Sequence, residues 1–227
     1  LKYISGSALL LVSLALVPVA AFGNEPAEKA AAQQVEKVEQ YTDPFKMMEV
    51  VADKTFQRIA RDQELIAQDK EYLRLIVNEE LVPYIDSRYA ALTVIGRSVN
   101  LRELPREEFD NFVVAFEDYM VASYAGALTY YRDQKVIIQP ARPPENQSIM
   151  TIKTRVIDPG KPDITIDFKL RRNRGSEYWL VYDMVAEGIS LLDSKRAELS
   201  NLIRQQGVAR VTELLLEKAK EPIKVPE

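Results

Sequence analysis

Apolar residues recur at helical spacing in the first half of the chain, alternate singly through the segment after Lys135, and then return to helical spacing. The first stripe, Phe45, Met48, Ala52, Phe56 and Ile59, predicts a helix running to about Arg61. Asp43-Pro44 opens it with an N-cap and a proline at the first helical position. A second helix is predicted over residues 69–85, with Tyr72, Leu73, Ile76, Val77, Leu81 and Ile85 facing inward and Pro83 ending or kinking it. Residues 87–96 read as a short apolar helix closed by Gly96. Pro105 starts a fourth helix to about Tyr131, whose Glu107 and Glu108 suit the positive end of its dipole. Phe109, Phe112, Phe116, Met120, Ser123 and Ala127 share one stripe of that helix.

From Lys135 the period drops to two. Strands are predicted over residues 136–139, 149–157, 164–170 and 177–185, separated by turn-forming runs at 141–147, 158–162 and 173–175. In the third of them Ile164, Ile166, Phe168 and Leu170 alternate with Asp163, Thr165, Asp167 and Lys169, which gives the sheet one apolar and one charged face. Gly188 marks the exit, and helices follow over 189–206 and 208–220, parted by Gly207. The fold class is therefore α+β: a helical N-terminal half, a twisted antiparallel four-stranded meander and two C-terminal helices, in one domain over 43–220 with a tail at 221–227. The aromatic fourth helix is the expected cover for the apolar face of the sheet. Whether the two close into a solid core or leave an apolar cavity stays open at this point, although Met and Tyr along a stripe suit an adaptable wall.

The N-terminus lies outside this pattern. Residues 1–23 carry Lys2, an apolar run over 8–19 and the small-x-small site Ala21-Phe22-Gly23, the layout of a secretory signal peptide. The rival is a retained anchor, since the apolar stretch is about long enough to span a bilayer; Pro18 and the small residues after it favour cleavage. Residues 24–42 are polar and read as a flexible leader.

Composition narrows the chemistry. The chain has no Cys and no His, which removes disulfides, thiol chemistry, histidine-activated nucleophiles and the commonest metal ligand. Asp183 and Glu187 read as structural carboxylates rather than acid/base groups. Charge is uneven: residues 24–131 hold 12 basic and 20 acidic side chains, whereas 132–175 hold 10 basic and 5 acidic ones. That excess suits anionic head groups or an acidic partner, or is simply the polar face of an amphipathic sheet. Nucleic acid does not fit an exported, acidic chain.

The stretch over 178–192, YWLVYDMVAEGISLL, resembles the C-terminal signature of the MlaC family, periplasmic phospholipid carriers also described as toluene-tolerance auxiliary proteins. Lys54-Thr55-Phe56, Tyr72-Leu73-Arg74, Glu80-Leu81-Val82-Pro83-Tyr84, Arg88-Tyr89-Ala90, the pair Phe112 and Phe116 with Tyr119, and Ile157-Asp158-Pro159 match in order. The similarity covers roughly residues 43–216. A departure is Arg97-Ser98-Val99-Asn100, where relatives commonly carry aromatic residues after the glycine.

The resemblance implies a periplasmic carrier without catalytic site, metal or cofactor, its phospholipid being cargo. It implies a monomer that meets an inner-membrane ABC transporter complex bearing a substrate-binding ring and an outer-membrane lipoprotein–porin complex, and so maintains outer-membrane lipid asymmetry. Two acyl chains of about 30 methylenes lose roughly 24 kcal/mol on entering water. Such a carrier needs a deep apolar cavity of about 1,000 Å³. The expected lining from the meander and its exit is Met150, Ile152, Ile164, Ile166, Phe168, Tyr182, Met184 and Ile189; from the helices, Ile85, Tyr89, Leu92, Phe112 and Phe116. Arg155, Lys161, Lys169 and Arg171 are the candidates for contact with a head group or partner. The rivals are a small-molecule enzyme on a similar cone-shaped fold, using Asp183 or Glu187, and an exported chaperone or scaffold.

Overall fold

The computed structural model describes residues 39–132, 134–139, 147–158 and 160–224. The expected signal peptide, all but the last four residues of the leader, most of the turn at 141–147 and the end of the tail lie outside them. Among the described residues no helix is long and apolar enough to cross a membrane.

Helix α1, Pro44–Arg61, begins where the sequence places it: Asp43 Oδ1 accepts hydrogen bonds from the Phe45 and Lys46 amides at 2.8 and 3.2 Å. A short helix α2, Gln63–Gln68, follows, unannounced by any long apolar stripe. The predicted second helix is only partly helical. Helix α3 covers Tyr72–Ile76, the chain then widens into a π-turn over Val77–Leu81, and a 3₁₀ turn over Val82–Tyr84 ends it. Pro83 is the cause, having no N–H to donate and a ring that crowds the preceding turn. Arg58 pins the segment to α1, its Nη1 lying 2.5 Å from Glu79 and 2.8 Å from Glu80.

Helices α4, Ser87–Ile95, and α5, Arg106–Leu128, match the sequence reading within a few residues. The sheet has five strands rather than four, in the order β1-β2-β3-β4-β5, all antiparallel. They are β1 Lys135–Ile138, β2 Ile149–Ile157, β3 Ile164–Arg171, β4 Leu180–Ala186 and β5 Ile189–Ser190. The extra strand is the return arm of a two-residue hairpin, with Ala186 opposite Ile189. Glu187 and Gly188 sit there at φ 49° and 80°, the left-handed pair that a type I′ turn requires. The last helix, α6, spans Leu191–Ala219 and is broken at Gly207 (φ 81°), so the two expected C-terminal helices meet at one residue.

Three apolar clusters hold the fold. The first joins α4, α5 and α6 around Phe112, Phe116, Val94, Ile95 and Val211. A second joins the end of α1, α2, α3 and the C-terminal part of α5 around Ile59, Leu73, Ile76 and Val121. The third joins the start of α1 to the sheet through Met47, Met150, Ile152, Leu170 and Trp179. The element packed directly on the apolar face of the sheet is thus α1, and only the C-terminal end of the aromatic helix reaches over that face. Phe112 and Phe116, stacked with ring centroids 5.9 Å apart, are buried among helices instead.

Candidate functional site

A cavity of about 400 Å³ lies between the second and third clusters. Its floor is the apolar face of the sheet. Alternation sends Val136 and Ile138 of β1, Thr154 and Val156 of β2, and Ile164, Ile166 and Phe168 of β3 to that side, with Val181 and Met184 of β4. Helix α1 contributes Met47, Met48, Val51, Ala52, Thr55 and Phe56. Leu81, Tyr84 and Ile85 enter from the segment that Pro83 interrupts, and Tyr124, Ala127, Leu128, Tyr130 and Tyr131 from the end of α5. Phe56 and Tyr131 stack at 4.6 Å between centroids across one wall.

Among the described residues the lining carries no charged side chain. Several of its few polar groups are turned to the backbone or to one another. Thr55 Oγ1 donates to the Val51 carbonyl at 2.7 Å, and Thr154 Oγ1 donates to the Ile166 carbonyl at 2.6 Å, so both threonines present methyl groups. Gln134 Nε2 donates to the Tyr130 carbonyl and Asp158 Oδ2, each at 3.3 Å, while its Oε1 accepts the Arg132 amide at 2.5 Å. Burial pushes the Tyr124 phenol up to about 12, with the nearby Asp183 charge adding to the effect, so it stays neutral. The walls offer dispersion contacts and water exclusion, and no group aimed at bond-breaking. Tyr130 and Ile164, 61% and 45% exposed, mark the rim.

Of the thirteen residues expected to line a cavity, Ile85, Ile164, Ile166, Phe168 and Met184 are on its wall. Met150 and Ile152 share the same face of the sheet but are packed solid against Met47 and Trp179. Phe112 and Phe116 belong to the helical core. Tyr89 and Tyr182 meet edge to face at 5.1 Å, away from the cavity, and Leu92 is half-buried on α4. Ile189 is exposed in the hairpin. Among the residues missed are those of α1, the tyrosines at the end of α5, the edge strand β1, and Thr154, Val156 and Val181 of β2 and β4. The α1 stripe was visible as Phe45, Met48, Ala52 and Phe56, but spacing alone does not separate a core face from a cavity wall.

The basic candidates lie elsewhere. Lys169 Nζ donates to Asp183 Oδ2 at 2.8 Å; that hydrogen bond raises the Lys169 pKa from its ordinary value, over an opposing effect of burial. Arg171 pairs with Asp86 and lies 4.1 Å over the Tyr89 ring, tying β3 to the start of α4. Strand alternation puts Arg155, Lys169 and Arg171 on the side of the sheet opposite the cavity. Arg155 and Lys161 are exposed, paired with Asp163 at 3.1 Å and Asp158 at 2.9 Å. Asp183 accepts from Lys169, from Ser190 Oγ at 2.7 Å and from the Leu192 amide at 3.1 Å. Glu187 Oε1 accepts the Thr165 amide at 2.5 Å. Both carboxylates are engaged by donors and neither lines the cavity.

Comparison with known proteins places this architecture. The family described as MlaC protein matches residues 49–217. A protein of Haemophilus influenzae named intermembrane phospholipid transport system binding protein MlaC is 32% identical over 183 residues, which is 80% of this chain and 85% of that protein. Among solved structures, the phospholipid-binding protein from Ralstonia solanacearum in complex with a phospholipid superposes with a TM-score of 0.67 at 20% identity, over 77% of this chain and 95% of that one.

Proposed function

The chain belongs to the MlaC protein family, and on that premise we propose that it is a phospholipid carrier whose acyl chains occupy the cavity between α1, the end of α5 and the sheet. The observation that carries this reading is a wall of aliphatic, aromatic and methionine side chains whose two threonines bond to the backbone. The Haemophilus relative's name and the phospholipid in the Ralstonia structure support it.

Physical chemistry sets the terms of the task. A diacyl lipid that gains roughly 24 kcal/mol on leaving water must be hidden for the journey and released at its end. An apolar cavity without fixed charges does both, because it holds by exclusion of water more than by directed bonds. Its volume of about 400 Å³ is below the size expected for two chains, so loading requires the walls to move or the chain ends to lie in the mouth. Met47, Met48 and Met184 line it, and unbranched thioethers repack at low cost.

The carrier works in the periplasm as a monomer and exchanges lipid with two membrane-bound partners, an inner-membrane ABC transporter complex with its substrate-binding ring and an outer-membrane lipoprotein–porin complex. It catalyses no reaction and uses no cofactor. Arg155 and Lys161, exposed on the basic segment, are the residues offered to those partners. Lys169 and Arg171 serve instead to tie the sheet to Asp183 and Asp86.

Ile166→Glu tests the site. It places a carboxylate against the acyl chains from a half-buried position on the floor. Uptake of a fluorescent phospholipid should fall at least ten-fold with the circular dichroism spectrum and urea midpoint nearly unchanged. A folded variant that loads as well as the parent would remove the cavity from the account.

A further inference from the structure

Beside the apolar cavity lies a second one, of about 430 Å³. Leu128 and Tyr131 line both, so a single layer of side chains separates them. The second cavity lies against the end of α5, next to the rim that Tyr130 marks. Its depth is apolar, with Ile59, Ile66 and Leu73, but it also carries Lys70 and Arg132 and, among the described residues, no carboxylate.

Both cations have donors to spare. The Lys70 ammonium has no hydrogen-bond or ion-pair partner among the described residues. Arg132 is held by one corner only: Nη1 donates to the Thr129 and Tyr131 carbonyls at 2.7 and 2.8 Å. Its Nε and Nη2 groups have no partner among the described residues. The carbonyls that end a helix repel anions; here Nη1 covers two of those at the end of α5, and the rest of the fork is left to a ligand. A planar donor edge and an ammonium, in a lining that holds no carboxylate among the described residues, match the oxygens of a phosphate ester.

We propose that Lys70 and Arg132 form a phosphate subsite that holds the phosphodiester of the phospholipid whose acyl chains lie in the neighbouring apolar cavity. The inference rests on the carrier reading above and gives the bound lipid an orientation, with its head group at the end of α5 and its chains running under α1. The basic segment of the sheet contributes nothing to holding the phosphate, since Arg155, Lys169 and Arg171 project from the opposite side.

The test uses the lipid-stripped full chain, offered phosphatidylglycerol or diacylglycerol with the same acyl chains in nonionic detergent micelles, with bound lipid measured by extraction and mass spectrometry. Lys70→Gln and Arg132→Gln should each reduce phosphatidylglycerol occupancy about ten-fold and leave diacylglycerol occupancy unchanged, with Arg132→Lys restoring part of the loss. Equal loss of both lipids would mean that the two residues only support the fold, and loss of neither would mean that they do not meet the phosphate; either result overturns the subsite. Titration with sn-glycerol 3-phosphate, followed by phosphorus NMR, separates the two sources of the anion. Binding of that ester abolished by Lys70→Gln, in a protein whose phosphatidylglycerol occupancy the same change leaves intact, would overturn the lipid form of the proposal in favour of a soluble phosphate ester. A parent protein that takes up neither lipid overturns the carrier reading and the inference with it. One that takes up both lipids equally overturns the inference alone.

Discussion

Asp183 is only 5% exposed, and a carboxylate so placed is costly unless donors surround it. Three do, from β3, from the hairpin arm β5 and from the first turn of α6. One side chain therefore fastens the sheet to the C-terminal helix, which explains why it lies within the stretch that carries the family resemblance although it faces no cavity. Its partner Lys169 has a raised pKa in the folded state, so this contribution to stability is fully present below the ordinary lysine range and is lost as pH rises through the raised value. Asp183→Ala leaves that lysine and two further donors without an acceptor. The expected loss is about 3 kcal/mol of unfolding free energy, read from urea denaturation at neutral pH. A loss under about 1 kcal/mol would mean that water replaces the carboxylate without difficulty. Thr55 and Thr154 show the same economy inside the cavity, where hydroxyl groups bond to the backbone and leave methyl groups for the ligand.

At the scale of elements, the tail is a strap rather than a loose end. Arg74 Nη1 and Nη2 donate to the Ala219 and Glu221 carbonyls at 2.5 and 2.7 Å, and Glu71 accepts the Ile223 amide at 2.8 Å. The Ile223 amide, then Arg74, hold the Glu71 carboxyl below its ordinary value. A depressed carboxylate stabilises above its unfolded pKa of about 4.3 and ceases to as pH falls, so acidification should release the strap before the domain unfolds. Hydrogen exchange at Ile223 should quicken relative to β3 amides in the same sample as pH is lowered below the ordinary carboxylate range; parallel behaviour of the two would contradict this. The elements that sequence reading located best are those with a local chemical signal. Asp43-Pro44 starts α1 and strict alternation sets β2 and β3, because caps and period-two faces are properties of adjacent residues. The misses have non-local causes. A two-residue strand has no period to detect, and the π-turn arises where Pro83 meets the packing of α3. That α1 packs directly on the sheet while α5 reaches it only at its end depends on which apolar stripes find each other across the chain. Five of the thirteen expected residues lie on the wall, three of them on β3: alternation identified the inward face of that strand, while nothing in the spacing of α5 shows that Phe112 and Phe116 turn to α6.

For the molecule as a whole, separate apolar clusters explain how a folded domain can keep a hollow. The helical cluster around Phe112 and the cluster of Met47 and Trp179 with the sheet are each packed without the ligand's help. The space between helices and sheet is left to be filled by something apolar. An interior gap of that size in an ordinary core would cost several kcal/mol, and its retention fits the proposed role as the place for acyl chains. The direct measurement is the lipid content of the full chain purified from an expressing cell without detergent, by native mass spectrometry followed by solvent extraction. Phospholipid is expected at close to one molecule per chain or more, present in the parent protein and depleted in Ile166→Glu. A well-folded parent protein carrying no phospholipid would contradict it.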